Sequence, residues 1–254
     1  MITSLRTSRI IHIAILVLLI CTYQFAVAGK KHKKHEPPLP VWFWDTPQIN
    51  NGLLTVGYSK SYIESKHAYQ DAFLDGAWRL FCGKQSRIAG EKAIASSPSG
   101  MSHMGSTIRE IADSTGFSRF CKRIVRIDSA ATPTLRVILI GTRKIDVDQT
   151  LMTSPPEPNI NLSRSVSQGC SKMYEFEYSS WLEAERKARN SLATGISIEQ
   201  ECLEASTQDN AFKTIVTKTD VILTNVQTIH RRFNRKNGVV SVWINGQGYA
   251  NLSK

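Results

Sequence analysis

Five cysteines are the residues of this 254-residue chain with the most predictable chemistry. Cys21 lies near an apolar N-terminal run, and Cys82, Cys121, Cys170 and Cys202 follow it. No C-x-x-C pair occurs, so the spacing favours neither a redox centre nor a zinc ribbon. If the chain is exported, four remaining cysteines predict two disulfides, and we expect Cys82–Cys121 and Cys170–Cys202. The alternative is four small buried thiols.

Histidines and carboxylates are the next candidates for chemistry. His67 precedes Asp71 by four residues on a predicted helix, and His230 lies within a predicted strand. A His–Asp pair at this spacing is more typical of a helix surface than of a catalytic dyad. His32 and His35 have no further ligand nearby, so we predict no metal site and no cofactor.

Four common catalytic or nucleotide-binding motifs are absent from the chain, which has no G-x-S-x-G, H-E-x-x-H, G-x-x-x-x-G-K or G-x-G-x-x-G pattern. Catalytic residues can nevertheless assemble in space. A hydrolase-like enzyme with a site near His67 or His230 therefore stays as the alternative to a non-enzymatic protein.

Basic residues give the chain a formal net charge of +11. In "CKRIVR" and "HRRFNRK" they alternate with aliphatic residues, which is typical of one solvated sheet face, and the stacked aromatics of single-strand nucleic-acid binders are missing. We expect contacts with anionic lipid or polymer surfaces instead. The candidates are Lys30, Lys31, Lys33, Lys34, Arg231, Arg232, Arg235 and Lys236.

The N-terminus has the pattern of a secretory signal peptide over residues 1–28. Arg6 and Arg9 precede the apolar run 10–20, and Ala26 and Ala28 form an A-x-A site. The run is shorter than a membrane span. An uncleaved anchor is one alternative, and lipidation at Cys21 is another, although Ile20 is large for a lipobox. We expect an exported protein of the periplasm or outer membrane.

Residues 29–47 predict a basic, proline-containing leader that ends in an aromatic anchor. Trp42, Phe43 and Trp44 are too apolar to stay in water, so this segment should pack on the folded body. Pro47 prevents its continuation as a central strand.

Residues 48–150 predict a first strand–helix–strand–strand unit. A strand at 53–59 contains Gly57, which indicates a bulge or a close backbone approach. A helix from Glu64 follows, with alanines such as Ala68 and Ala72 on one face. Residues 106–116 predict a short helix, and 117–129 with 134–147 predict a hairpin.

Residues 151–165 predict a linker, because three prolines fall between 155 and 158. Residues 166–254 then predict a second unit of the same order. Its parts are a strand at 174–178, a helix at 181–203, and a hairpin of 212–233 with 238–250 around an Asn237–Gly238 turn. The fold class is therefore α+β, with two units whose small antiparallel or mixed sheets are each covered by one main helix.

Three residue pairs suggest that the units arose by duplication. Tyr58 and Tyr178 lie 120 residues apart, as do Ala68 and Ala188, and Cys82 and Cys202. A three-stranded sheet with one helix leaves a face or an edge uncovered, and a second unit can shield it.

The segments "VWFWDTP" and "LLTVGYS", followed by a helix with Ala68 and Ala72, resemble the bacterial lipoprotein-20 family. The related N-terminal domain of flagellar assembly protein T has a similar layout. The resemblance covers roughly residues 38–82 and, weakly, the hairpin to about 145. It implies an exported envelope protein with a compact α+β domain and no known catalytic centre. Members typically carry a lipidated cysteine. The expected function is a non-enzymatic interaction or assembly module whose partners are envelope proteins.

Overall fold

The structure is a computed structural model that describes residues 38–50, 52–62, 64–97, 100–156, 158–160, 162–163, 165–197, 202–206 and 213–250. Its helices are α1 (Val41–Trp44), α2 (Ser65–Lys84), α3 (Phe117–Cys121) and α4 (Glu177–Ser197). Its strands are β1 (Leu39–Pro40), β2 (Leu54–Lys60), β3 (Gln85–Ser97), β4 (Gly100–Ser106), β5 (Arg109–Ile111), β6 (Val125–Ala131), β7 (Leu135–Gly141), β8 (Leu151–Met152), β9 (Val166–Lys172), β10 (Cys202–Ser206), β11 (Lys213–Asn234) and β12 (Val239–Ala250). The predicted α+β class is confirmed. The predicted signal peptide and basic leader lie outside the described residues.

The first sheet has three antiparallel strands in the order β2-β7-β6, and α2 packs on β2 and β7. Val137, Leu139 and Ile140 of the central strand β7 are fully buried, as their continuous apolar run predicted. Ala68 and Ala72 of α2 are also fully buried. Because their side chains are small, the helix can lie close to the sheet.

The second sheet has the main order β4-β3-β11-β12-β9, with β10 on β11 and β5 on β3. Its β9-β12-β11 part repeats the strand order of the first sheet, in which the strand before the helix pairs with the last strand. Helix α4 packs on β9 and β12. The strands β3, β4 and β5 come from the first half of the chain but lie in this second sheet, so pairing between β3 and β11 joins the halves.

The aromatic anchor packs on the folded body, as predicted, and it contacts both halves. Trp42, Phe43 and Trp44 are buried. Trp42 Nε1 donates to Asp128 Oδ2 of β6 at 2.8 Å, and the ring of Phe43 contacts that of Trp181 of α4 edge-on at 5.3 Å. This short helix therefore fills the space between the two sheets.

Several predicted elements are wrong. Residues 109–111 form β5 where a helix at 106–116 was predicted, and 117–121 form α3 where a strand was predicted. The predicted strand 174–178 is instead a loop that leads into α4, while the strand of this unit is β9. Aromatic and acidic residues alternate in "YEFEY", but Glu177 already lies in the first turn of α4, so the alternation does not reflect a sheet.

Within the described part of the chain, no helix combines the length and the hydrophobicity that crossing a membrane requires.

Candidate functional site

The strand before each main helix ends in the same short motif. Gly57-Tyr-Ser-Lys-Ser-Tyr62 and Gly169-Cys-Ser-Lys-Met-Tyr174 share G-x-S-K-x-Y at a spacing of 112 residues. The Ser hydroxyl bonds the following Lys carbonyl in both copies, Ser59 to Lys60 at 3.0 Å and Ser171 to Lys172 at 3.1 Å. The predicted alignment of the two halves at a spacing of 120 residues was therefore wrong, since it pairs Tyr58 of a strand with Tyr178 of a helix.

The glycine of each motif lets a helix approach the strand backbone. A Cβ atom on Gly57 would lie 1.8 Å from the Ala72 carbonyl oxygen, and one on Gly169 would lie 2.0 Å from that of Ala184. Ala72 and Ala184 also lie 112 residues apart. The predicted close backbone approach at Gly57 is confirmed, and the same device recurs in the second half.

The two motif loops meet and expose a surface that we call the loop face, formed by Lys60, Tyr62, Phe176 and Tyr178. The Lys60 ammonium lies 4.9 Å from the Tyr62 ring centroid and 5.9 Å from that of Phe176, and the Phe176 and Tyr178 rings are 6.2 Å apart. Phe176 is 52% exposed and Tyr62 36%. A hydrogen bond to Asp71 raises the pKa of Tyr62, so its hydroxyl stays protonated and donates. Exposed aromatic rings beside a lysine are typical of binding surfaces.

A charged cluster, formed by Asp75 and Arg79 of α2 with Glu185 of α4, lies between the helices. Arg79 Nη2 lies 2.7 Å from Glu185 Oε2, and Arg79 Nε lies 3.4 Å from Asp75 Oδ2. The side chains of Arg79 and Glu185 are only 10% and 7% exposed. The Arg79 guanidinium also stacks on the Tyr58 ring at 4.5 Å. The cluster borders a cleft of about 160 Å³.

The same cluster caps the outer edge of β2. The odd residues of β2 bond to β7, since Thr142 N donates to the Leu53 carbonyl at 3.2 Å. The backbone N–H and C=O groups of the even residues therefore point away from β7, toward the outer edge of β2. Tyr58 N–H donates to Asp75 Oδ2 at 2.8 Å, and Arg79 Nη2 donates to the Val56 carbonyl at 2.8 Å. Side chains thus satisfy backbone groups that another strand would otherwise pair.

Burial of the charged cluster shifts its acid–base equilibria. Desolvation raises the pKa of Asp75 to about 6, although Arg79 and the Tyr58 N–H oppose the shift. Burial lowers the pKa of Arg79, but Glu185 and Asp75 outweigh it and hold that pKa above its ordinary value. Asp75 can therefore exchange a proton near neutral pH while Arg79 stays charged.

A second buried ion pair extends the contact between the helices. Arg189 of α4 donates to both carboxylate oxygens of Glu110 of β5, to the Cys82 carbonyl at 3.2 Å and to Ser86 Oγ at 3.0 Å. Burial, assisted by the Glu110 charge, raises the pKa of Cys82 to about 12. A thiol that stays protonated is a poor nucleophile.

The predicted disulfides are wrong, because Cys82, Cys121 and Cys170 are free thiols. Cys170 pairs with Ser241 of β12, which in turn pairs with Arg232 of β11. The backbone of Cys202 pairs with Thr217 of β11. Arg232 and Thr217 lie fifteen residues apart along β11, which is about 50 Å in a straight strand. A disulfide requires Cα atoms within about 7 Å.

Arg231 was predicted to contact anionic surfaces, and this is wrong because it is completely buried. It donates to the Tyr58 hydroxyl, to the Phe43 carbonyl at 2.9 Å and to Thr46 Oγ1 at 2.7 Å. Arg231 therefore ties β11 to the aromatic anchor and to β2. Arg232 is half-buried, while Arg235 and Lys236 are exposed at the β11–β12 turn. Lys30, Lys31, Lys33 and Lys34 lie outside the described residues.

The two candidate histidines that the structure describes, His67 and His230, have different surroundings. His67 is exposed and its Nδ1 lies 3.5 Å from Glu64 rather than beside Asp71. His230 is buried, contacts Asp45 through Nδ1 and packs edge-on against the Trp243 ring at 5.2 Å. No cluster of three or more metal-ligating side chains is found among the described residues.

Comparison with known proteins adds no relative: no family model, no curated protein and no solved structure matches this chain.

The sequence contained a signal for the loop face that the prediction missed. The repeated G-x-S-K-x-Y motif is visible at a spacing of 112, and it marks the two loops that meet. No such signal exists for the charged cluster. Asp75 and Arg79 have Lys187 and Ser191 at the corresponding positions of the second half, so the cluster belongs to one half only.

Proposed function

We propose that this protein is a non-enzymatic interaction module of a bacterial envelope, and that the loop face binds a protein partner. The chain would be exported, as its N-terminal pattern predicts. The resemblance to the lipoprotein-20 family agrees with this role.

The loop face is the observation that carries the proposal. It brings three aromatic rings and a lysine together where the loops of both halves converge. Tyrosine and phenylalanine are enriched in protein interfaces because they bury a large area at a low entropic cost. Because both halves contribute, the surface requires the assembled molecule.

An anionic lipid or polymer surface is a second candidate partner. Arg235 and Lys236 are exposed together at the β11–β12 turn, which favours such a contact. Binding of this kind would weaken steeply with salt, whereas aromatic contacts would not.

Site-specific photo-cross-linking tests the proposal. A photoreactive amino acid replaces Tyr62 or Phe176 in the full chain, and Tyr249 serves as the control because it is 54% exposed on β12, away from both loops. We expect the same envelope protein to be captured from Tyr62 and Phe176 but not from Tyr249. The double variant Tyr62→Ser, Phe176→Ser should lose that partner in a binding assay with the two purified proteins.

Equal capture from Tyr249, or unchanged binding by the double variant, would refute the loop face as the binding surface. Binding to vesicles of anionic lipid that is abolished by Arg235→Gln with Lys236→Gln, and unaffected by the loop-face variant, would favour the second candidate.

A further inference from the structure

The strand β9 has an outer edge that the described residues leave uncovered. Gly246 N donates to the Ser165 carbonyl, and Met173 N donates to the Gly238 carbonyl, both at 2.8 Å. The backbone groups of the odd residues of this segment therefore bond to β12, and those of the even residues point toward the outer edge of β9. The outward backbone groups of Gln168 and Cys170 have no partner among the described residues. The Lys172 carbonyl accepts from Ser171 Oγ at 3.1 Å, which leaves one of its two lone pairs for a further bond.

Edge strands normally carry some protection against pairing. In the first half, Asp75 and Arg79 supply it by bonding Tyr58 and Val56. The corresponding positions on β9 are Cys170 and Gln168, and those on α4 are Lys187 and Ser191. Lys187 and Ser191 are exposed and make no bond to β9. A lysine cannot accept the N–H of Cys170, and a serine is too short to reach the strand as Arg79 does.

We propose that β9 is a dimerisation edge, on which a second copy of this chain adds its own β9 antiparallel about a two-fold axis at Cys170. In this register Cys170 pairs with Cys170 of the second copy, and Gln168 pairs with Lys172. Each of these three pairs exchanges two backbone hydrogen bonds, giving about six in total. Other registers use fewer of the three outward residues.

The side chains of Gln168, Cys170 and Lys172 are compatible with pairing between two copies of β9. Lys172 is the one charged residue of the strand, and the two-fold register places it opposite the Gln168 amide rather than opposite another lysine. An opposed lysine pair would repel. The second sheet would then continue through both copies. The proposed contact is made by backbone groups of β9 and uses none of the four loop-face side chains, so it does not rest on the proposed function.

Cys170 provides a chemical readout of this register. Its thiol is free and exposed. Directly opposed residues of a hydrogen-bonded antiparallel pair have Cα atoms about 5.5 Å apart, a distance that a disulfide spans. Added glutathione disulfide would take two electrons and the two thiol protons from the Cys170 pair, giving one interchain disulfide and two molecules of glutathione.

Sedimentation of the full chain under reducing conditions is the primary test. We expect a reversible dimer in the wild type. The variant Lys187→Asp, Ser191→Arg copies the cap of β2 onto β9, and it should raise the dimer dissociation constant at least about tenfold. Both positions are exposed, so the variant should keep its far-ultraviolet circular dichroism spectrum and unfolding midpoint. Lys66→Ala, an exposed change on α2 with the same change in net charge, should leave the dimer intact.

Oxidation gives the second readout. On a non-reducing gel, wild type and Cys121→Ser should form a covalent dimer, whereas Cys170→Ser should not. A monomeric wild type, a dimer that the cap variant leaves unchanged, or a covalent dimer that persists in Cys170→Ser would overturn the proposal. Pairing of β9 with a foreign peptide in place of a second copy would appear as a monomer and would also overturn it. Loss of partner binding by the loop-face variant with an intact dimer would concern only the proposed function.

Discussion

The outer edges of β2 and β9 occupy equivalent places in the two halves but have opposite surroundings. Helix α4 lies beyond β2, and Asp75 and Arg79 fill the gap with ion pairs and backbone hydrogen bonds. No strand of the described residues pairs with the outer edge of β9, and Cys170 is exposed there. The same strand–loop–helix unit therefore supplies an internal contact in one half and an open edge in the other. Asp75 and Arg79 stand where the second half has Lys187 and Ser191, and Glu185 of α4 holds Arg79 at the edge of β2.

Removal of Arg79 should have the largest effect on stability. Arg79→Ala leaves Glu185 and Asp75 buried without their cation, so we expect a loss of about 3–5 kcal/mol in the free energy of unfolding. Ser191→Ala, the corresponding change beside β9, should cost less than about 0.5 kcal/mol. Urea unfolding of both variants measures the contrast. Equal losses would show that the two edges are energetically alike.

Substitution of the two motif glycines, Gly57 and Gly169, should have the second-largest effect on stability. Gly57→Ala and Gly169→Ala each place a methyl group against a helix carbonyl, and we expect each to cost about 3 kcal/mol. Gly195→Ala is the control, because its Cβ would meet nothing within 4 Å. Removal of a helix glycine should stabilise the protein by up to about 1 kcal/mol. A large loss at only one of the two motif glycines would break the equivalence of the halves.

The pH dependence of stability should report on the capped edge. The native pKa of Asp75, about 6, exceeds its ordinary value in the unfolded chain. Between about pH 4 and 6 the native state therefore binds more protons, and its stability falls as pH rises through this window. The contribution is about 2 kcal/mol. Unfolding of wild type and Asp75→Asn across this range measures it.

The Asp75→Asn variant should lack this fall in stability between about pH 4 and 6, because the amide does not titrate. Its side-chain oxygen can still accept from Tyr58 N–H. A slope that the substitution leaves unchanged would assign the titration to another group.

Thiol reactivity should show the smallest energetic effect and the clearest difference between the edges. Cys82 is buried with a pKa of about 12, whereas Cys170 is exposed. A thiol-specific reagent should label Cys170 rapidly in the native reduced protein and should reach Cys82 only after unfolding. Mass spectrometry of the labelled peptides checks the order, and Cys170→Ser provides the control. Early labelling of Cys82 would mean that the contact between the helices opens readily.

Local pattern was enough to predict much of the fold. The run at 53–59 gave β2, the alanine spacing after Glu64 gave α2, and the Asn237–Gly238 turn lies between β11 and β12, with Gly238 at a φ of 64°. These elements depend on neighbouring residues along the chain, so their sequence signals are strong. The strands β3, β4 and β5 were not predicted. β3 pairs with β11, which lies more than a hundred residues away, and β4 and β5 in turn pair with β3.

Arg231 shows why the charge of a strand residue can mislead. Its charge placed it on a solvated face, yet it is completely buried. The register shifts between Thr224 and Gln227 and between Thr228 and His230 each exchange the two faces of β11, so beyond both of them Arg231 has the same phase as the buried Val221 and Leu223. Its partners Tyr58, Phe43 and Thr46 come from distant segments, and the sequence gives no sign that they meet it.

The sequence alone determined β2, α2 and the close backbone approach at Gly57, because propensity and small-residue spacing act within a few residues. The strand of the second half was misplaced, and the equivalent contact at Gly169 was missed. Only the tertiary structure decided which unit has a covered edge and which an open one. What lies beyond an edge is a matter of distant segments, and a charge such as Asp75 or Arg79 acquires its role only when Glu185 of another helix arrives beside it.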